Sequence, residues 1–296
     1  MGKDGVLFKG ESMKLSIIAP DTTDACYIYR GVPWEKLGLE THSYSGKLGF
    51  QLWTAIINAD VVLLQRPWTS QHVGIAKTIK DAGKKLIIDW DDNLSCLPQW
   101  NPNAHHFADC LPHLQALCSL ADGVTVTTQA LANSASVWGA SRVVIVPNAI
   151  DDSLKGIVRH PRKPIVLWRG GMSHSADLEE GRAYLTEANK THEIVFMGDK
   201  PAWAYTLRHR HFAVTDYCNY LTTMATLAPE IVAIPLVDHP FNIAKSDIGA
   251  QEAFLIGAKL WHNGVGEFRN HPVNETGSVR WLSEVNGKRL ELINSL

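Results

Sequence analysis

Several things are scarce in this 296-residue chain, and each scarcity excludes a class of protein. Its five cysteines (Cys26, Cys96, Cys110, Cys118, Cys218) are odd in number and contain no C-x-x-C, so neither a disulfide framework nor a zinc knuckle is indicated. Scattered thiols of this kind fit a reducing compartment. No apolar run approaches the roughly 18 residues a spanning helix needs, so stable membrane insertion is not expected. The opening MGKDGVLFKGESM has no extended apolar stretch, and Val6 stands where a myristoylation pattern wants Ser or Thr. A cytoplasmic location is therefore expected, in the host cytoplasm if the chain is phage-encoded. A net charge of only −2 gives no global pull toward nucleic acid or acidic lipid, although local basic patches remain. G-x-S-x-G and G-x-x-x-x-G-K-[ST] are absent, which removes support for hydrolase and P-loop NTPase readings. The thirteen histidines include His105-His106 and His209-Arg210-His211, but none sits in a spaced metal-ligand set, so no required metal is expected.

What is present is alternation. Short, mostly β-branched apolar runs at 15–19, 61–64, 86–89, 124–127 and 143–146 suit buried parallel strands. Helical patterns lie between them at 71–82, 104–121 and 128–138, with Pro112 expected to kink or restart the second. After the basic stretch RHPRKP (159–164) the alternation restarts. Strands are expected at 165–168, 193–197 and 231–234, and helices at about 174–189, 217–228 and 246–257. Strands alternating with helices imply βαβ units. The fold class is α/β, with two Rossmann-like domains facing across a cleft that holds the ligands. The expected division is a tail at 1–12, a first domain at 13–155, a second at 156–275 and a terminal helix at 276–296.

The stretch FNIAKSDIGAQEAFLIGAKL (241–260) carries the most chemistry. Asn242, Lys245 and Ser246 precede a helix whose free N–H groups and partial positive charge suit a diphosphate. Lys245 adds a full charge, and Glu252, two turns in, is placed to bond sugar hydroxyls. An ordinary capped, solvated helix start has the same spacing.

Taken with VLWRGGMSH (166–174), IVFMGDKP (194–201) and EIVAIPLVDHPFN (230–242), this stretch resembles the donor half of GT-B type nucleotide-sugar glycosyltransferases. It is most similar to the large retaining family that carries two glutamates with seven residues between them, and in its Lys-Ser pair to small phage and bacterial members. The later glutamate matches Glu252; the earlier falls at Ala244, a departure at the position that in the family contacts the transferred sugar. The likeness spans roughly residues 14–260 and is stronger in the second half. It implies a nucleotide-sugar donor held by the second domain. Arg169 would bind phosphate, Gly170, Gly171 and Gly198 would allow close backbone approach, and His174, Asn242, Ser246 and Glu252 would complete the donor site. No cofactor is expected beyond that co-substrate.

In the first half, DWDDN (89–93) ends a strand with three carboxylates. A D-x-D metal site, an acceptor-side base and a solvated loop all fit. The acceptor side is adopted because phosphate-binding features already lie downstream, with Asp91 or Asp92 positioning or deprotonating a hydroxyl. Arg30, in the loop after the first strand, and Asn148, in VPNAID, are expected near the acceptor and the hinge. The chain thus reads as a metal-independent hexosyl- or pentosyltransferase, and a saccharide, a lipid-linked saccharide, a protein or a hydroxymethylated DNA base all fit as acceptor. The basic stretches 159–163 and 208–211, together with ten tryptophans in the chain, are the features that would meet a polyanion. A non-catalytic module binding a nucleotide sugar or a polyanion is the competing reading, supported by Ala244.

Overall fold

A computed structural model describes residues 13–45, 50–213 and 217–296. The first parallel sheet contains β1 (Lys14–Ala19), β2 (Glu40–Ser45), β3 (Val61–Gln65), β4 (Lys85–Trp90), β5 (Gly123–Val126) and β6 (Val143–Ile145), in the order β2-β1-β3-β4-β5-β6. The second contains β7 (Lys163–Gly170), β8 (Glu193–Gly198), β9 (His209–Phe212), β10 (Pro229–Ile234) and β11 (Lys259–His262), in the order β11-β10-β7-β8-β9. Every pairing is parallel.

The sequence explains the layering. β3 is VVLLQ and buried throughout, as a central strand covered on both faces must be. Leu64, Ile88 and Val126 pack on one face of the first sheet, and Leu63, Ile17 and Leu15 on the other. In the second sheet Leu167, Val195 and Val232 face one layer while Val166, Ile194 and Phe196 face the opposite one.

Three strands carry too little apolar signal to be read in advance. β2 (ETHSYS) and β9 (HRHF) are edge strands with polar faces, and β11 (KLWH) is four residues long. The helix expected over 104–121 is a 3₁₀ turn at Ala104–Phe107 followed by an α-helix at Leu111–Leu120. Pro112 restarts it, lying in the first turn where its missing N–H is harmless. The expected 174–189 helix is broken at Gly181, where a side chain would strike Pro235 at 2.7 Å.

Two features fix the domains relative to one another. Between β6 and β7, Val146, Asn148 and Ile150 are buried, and Ile150 bridges to Trp281. The terminal helix Leu282–Asn294 then returns to the first domain, seating Leu292 and Ile293 among Leu15, Ile17, Val61 and Ile87.

Candidate functional site

In an open parallel sheet, ligands bind at the C-terminal strand ends where the strand order reverses. In the second sheet this point lies between β7 and β10. A cavity of about 550 Å³ opens there, walled by Trp168 to Gly171 at the end of β7 and Ile234 to Leu236 at the end of β10. Thr23 to Cys26, Tyr29, Asp91 and Asp92 close it from the first domain. The fold thus brings Asp91, Asp92, Asn148, Arg169, Gly170, Gly171, His174, Gly198, Lys245, Ser246 and Glu252 to one cleft.

The backbone explains the glycines. Gly198 has φ +106, and a Cβ there would sit 2.2 Å from the Gly170 carbonyl oxygen. Gly249 admits the Arg169 guanidinium, which a Cβ would meet at 2.8 Å. The helix Ile248–Ile256 opens toward the cavity with Ser246, Ile248 and Gly249; the Ala250 amide is bonded to the Asp247 carbonyl, and those of Ile248 and Gly249 are at hand for an anion.

Two sets of charges organise the cleft. In one, Glu252 is buried and accepts from Tyr29 Oη at 2.6 Å, Arg169 Nη2 at 2.7 Å and Tyr220 Oη at 2.7 Å. Although burial works against the Arg169 charge, Glu252 outweighs it and holds the guanidinium above its ordinary value. Glu252 thus joins the two domains through Tyr29. In the other set, Arg66 Nε lies 3.0 Å from Asp91 Oδ1 and Arg66 Nη2 2.9 Å from Asp92 Oδ2. Lys245 Nζ reaches Asp92 Oδ1 at 3.8 Å from the second domain.

The paired aspartates are not equivalent. Burial pushes the Asp91 carboxyl above its ordinary value; Arg66 opposes this, and the Asp92 charge adds to it. Asp92 is also disfavoured by burial, but Lys245 and Arg66 prevail and hold it below the usual carboxylate range. A raised Asp91 beside an ionised Asp92 is an arrangement suited to moving a proton.

His174 Nδ1 lies 2.7 Å from Asp177 Oδ2. Asp177 is buried, and its Oδ1 accepts from Asn242 Nδ2 at 2.7 Å and from the Val237 amide at 2.8 Å. Burial, and then the Lys245 charge, keep the histidine pKa below its ordinary value. Asp177 fixes the ring so that Nε2 is the nitrogen left to act.

Two expected contacts do not lie on the cavity wall. Arg30 is fully buried, bonding Asp89 through Nε at 2.9 Å and Asn148 Oδ1 at 3.3 Å. It joins β4 to the hinge, and Asn148 in turn donates to Ser246 Oγ at 3.0 Å. In the helix Ala25–Arg30, Cys26 and Tyr29, three apart, face the cavity, whereas Tyr27 and Arg30, also three apart, are buried. Asn242 is likewise buried and acts through Asp177.

Ala244 is packed against the first domain, its carbonyl accepting from Thr128 Oγ1 at 2.9 Å, so a glutamate there would have to push the domains apart. Arg66, Tyr29 and Tyr220 escaped the sequence reading. Only Arg66 left a signal, as a cation immediately following a buried strand.

The basic stretches have structural employment. Arg159 caps the helix Ile248–Ile256 through the Leu255 and Phe254 carbonyls at 2.9 and 3.1 Å, and Arg210 pairs with Glu193. Among the described residues, no group of three or more His, Cys, Asp or Glu is arranged to hold a metal ion, and no helix is long and apolar enough to cross a membrane.

No protein-family model and no curated protein sequence matches the chain. Solved structures do match. Anabaena HepE in complex with UDP-glucose is similar with a TM-score of 0.59 and 14% identity, over 96% of this chain and 90% of that one. The same protein with UDP and glucose gives a TM-score of 0.58 at 14% identity, over 96% and 89%. UDP-GlcNAc 2-epimerase from Neisseria meningitidis, bound to UDP-GlcNAc, gives 0.50 at 11% identity, over 95% and 92%. At such identities the likeness concerns the fold: two parallel-sheet domains facing across a cleft, the GT-B architecture.

Proposed function

We propose that this chain transfers a hexose or pentose from a nucleotide sugar, of the uridine diphosphate class, to an acceptor hydroxyl, without a divalent metal. The observation that carries the reading is the Lys245–Asp92 contact, in which a cation from the second domain meets a carboxylate from the first across the cleft. A diphosphate leaving group gathers negative charge as the glycosidic bond breaks. Lys245, the Ile248 and Gly249 amides and the Gly170-Gly171 backbone surround the place where it would lie. Arg169, already neutralised by Glu252, holds that carboxylate in register rather than serving as a free cation. Asp91, its pKa raised, is the candidate base for the acceptor hydroxyl. Arg66 and Lys245 occupy the positions around Asp91 and Asp92 that a metal ion would need, which supports metal independence. The complexes of HepE with UDP-glucose and of the Neisseria epimerase with UDP-GlcNAc support the donor class.

Calorimetric titration with UDP and UDP-sugars, followed by turnover with and without acceptor glycosides, tests the proposal. Binding with sugar transfer supports it. Conversion of a UDP-sugar to its epimer with no acceptor present would replace transfer by epimerisation, with His174 the first group to examine. Binding without any turnover would leave a nucleotide-sugar binding module.

A further inference from the structure

A second cavity, of about 460 Å³, lies in the first domain and shares no lining residue with the first. It opens at the C-terminal ends of β1 and β3, where Ile18 to Pro20 and Leu64-Gln65 form its wall. The strand order of the first sheet reverses between those strands, making this the ligand crevice of that sheet. Its volume falls within the roughly 300–1,000 Å³ usual for small-molecule sites. Gln65 lines this cavity, whereas the next residue, Arg66, at φ +50, turns away to Asp91 and Asp92, which line the first. That left-handed backbone at a non-glycine residue is held against its intrinsic preference.

The lining indicates the ligand. Among the described residues it contains no Asp, Glu, Lys or Arg, in contrast to the first cavity. The described lining therefore offers a phosphate or polyanion no countercharge. Tyr44 and Trp68 present aromatic surface, and Gln71 adds a carboxamide. The Gln65 side chain is only 3% exposed, and its Oε1 has no hydrogen-bond partner. A buried amide oxygen without a partner is destabilising unless a donor reaches it. His72 accepts the Trp68 and Thr69 amides on Nδ1, both at 3.2 Å, which leaves Nε2–H as the ring's donor. Uncharged donors and acceptors beside aromatic faces match a ring bearing hydroxyls on its edge and C–H groups on its face.

We infer that the cavity bounded by Tyr44, Gln65, Trp68, Gln71 and His72 binds an uncharged saccharide ring; on the transfer reading above, that ring belongs to the acceptor.

The test uses the full chain with methyl glycosides of glucose, galactose and N-acetylglucosamine, observed by saturation-transfer NMR, beside UDP calorimetry. At least one glycoside should receive saturation from the wild-type protein. The isosteric Gln65→Met variant should lose that signal by tenfold or more while melting no lower than wild type, because it removes an unpaired buried amide. A Gln65→Met protein that melts lower and retains the signal would show the amide to be structural and overturn the assignment. So would the absence of transfer from every glycoside, or Gln65-dependent binding only of an oligonucleotide containing hydroxymethylcytosine. Glycoside binding without any UDP binding would leave this cavity in place and sink the donor proposal instead.

Discussion

Replacing Asp91 with Asn removes a charge from a carboxyl that burial holds above its ordinary pKa. As a general base it must be ionised to act, so kcat/KM should rise with pH through that raised value. Asp91→Asn should lower transfer by about 10²–10⁴-fold and abolish the limb; a variant retaining both rate and profile would remove Asp91 from the chemistry. Asp92 behaves differently because Lys245 lies 3.8 Å away. Lys245→Ala should weaken UDP binding about tenfold or more, since charge-assisted bonds contribute roughly 1.5–3 kcal/mol. Asp92→Asn frees the lysine and should tighten UDP binding by up to about fivefold, within the roughly 1 kcal/mol of a solvent-screened pair. Calorimetry on both variants and their double mutant checks the coupling.

Among the elements, the β7–β8 junction is the most constrained. Gly198 combines a left-handed backbone with a 2.2 Å approach to the Gly170 oxygen. Gly198→Ala should destabilise the chain by about 2 kcal/mol or more, counting the left-handed penalty and the displaced carbonyl. Urea unfolding measures this, and unchanged stability would show that the loop relaxes freely. The entrance to the helix Ile248–Ile256 gives a pH dependence. Burial disfavours the charge of its N-cap Asp247, but His271 and Arg280 more than compensate and hold the carboxyl far below the usual carboxylate range. The sign follows from a depressed folded-state pKa. This stabilisation is fully present above about pH 4 and disappears as pH falls toward the folded value. Asp247→Asn should therefore lower the melting temperature at pH 7 and flatten the acid side of the stability curve, as thermal scans from pH 2 to 7 would show.

At the scale of the whole molecule, the terminal helix and Glu252 hold the two domains as one unit. Leu292 completes the first domain's core although it follows the second domain in sequence. Leu292→Ala should lower stability by about 2–5 kcal/mol, with UDP affinity retained in the protein that remains folded. Transfer should survive EDTA. Loss of activity that manganese restores would make Asp91 and Asp92 metal ligands and overturn the role given to Arg66.

Local sequence determined the layers. Runs such as VVLLQ and LIID must be buried, helical periods separate them, and their alternation can only build parallel sheets. It also placed Lys245, Ser246, Asp91 and Asp92 at strand and helix ends, where ligands gather. The edge strands β2 and β9 were not legible, because polar edge segments are stabilised by pairing rather than by their own composition. Nor were the roles of particular charges. Arg30 and Tyr29 are adjacent, yet a helical turn sends one into the hinge and the other into the cleft. Only the tertiary structure joined Tyr29 to Glu252, 223 residues away, and Lys245 to Asp92. Such partnerships form through space, between domains whose separate patterns carry no information about the side chains they will face.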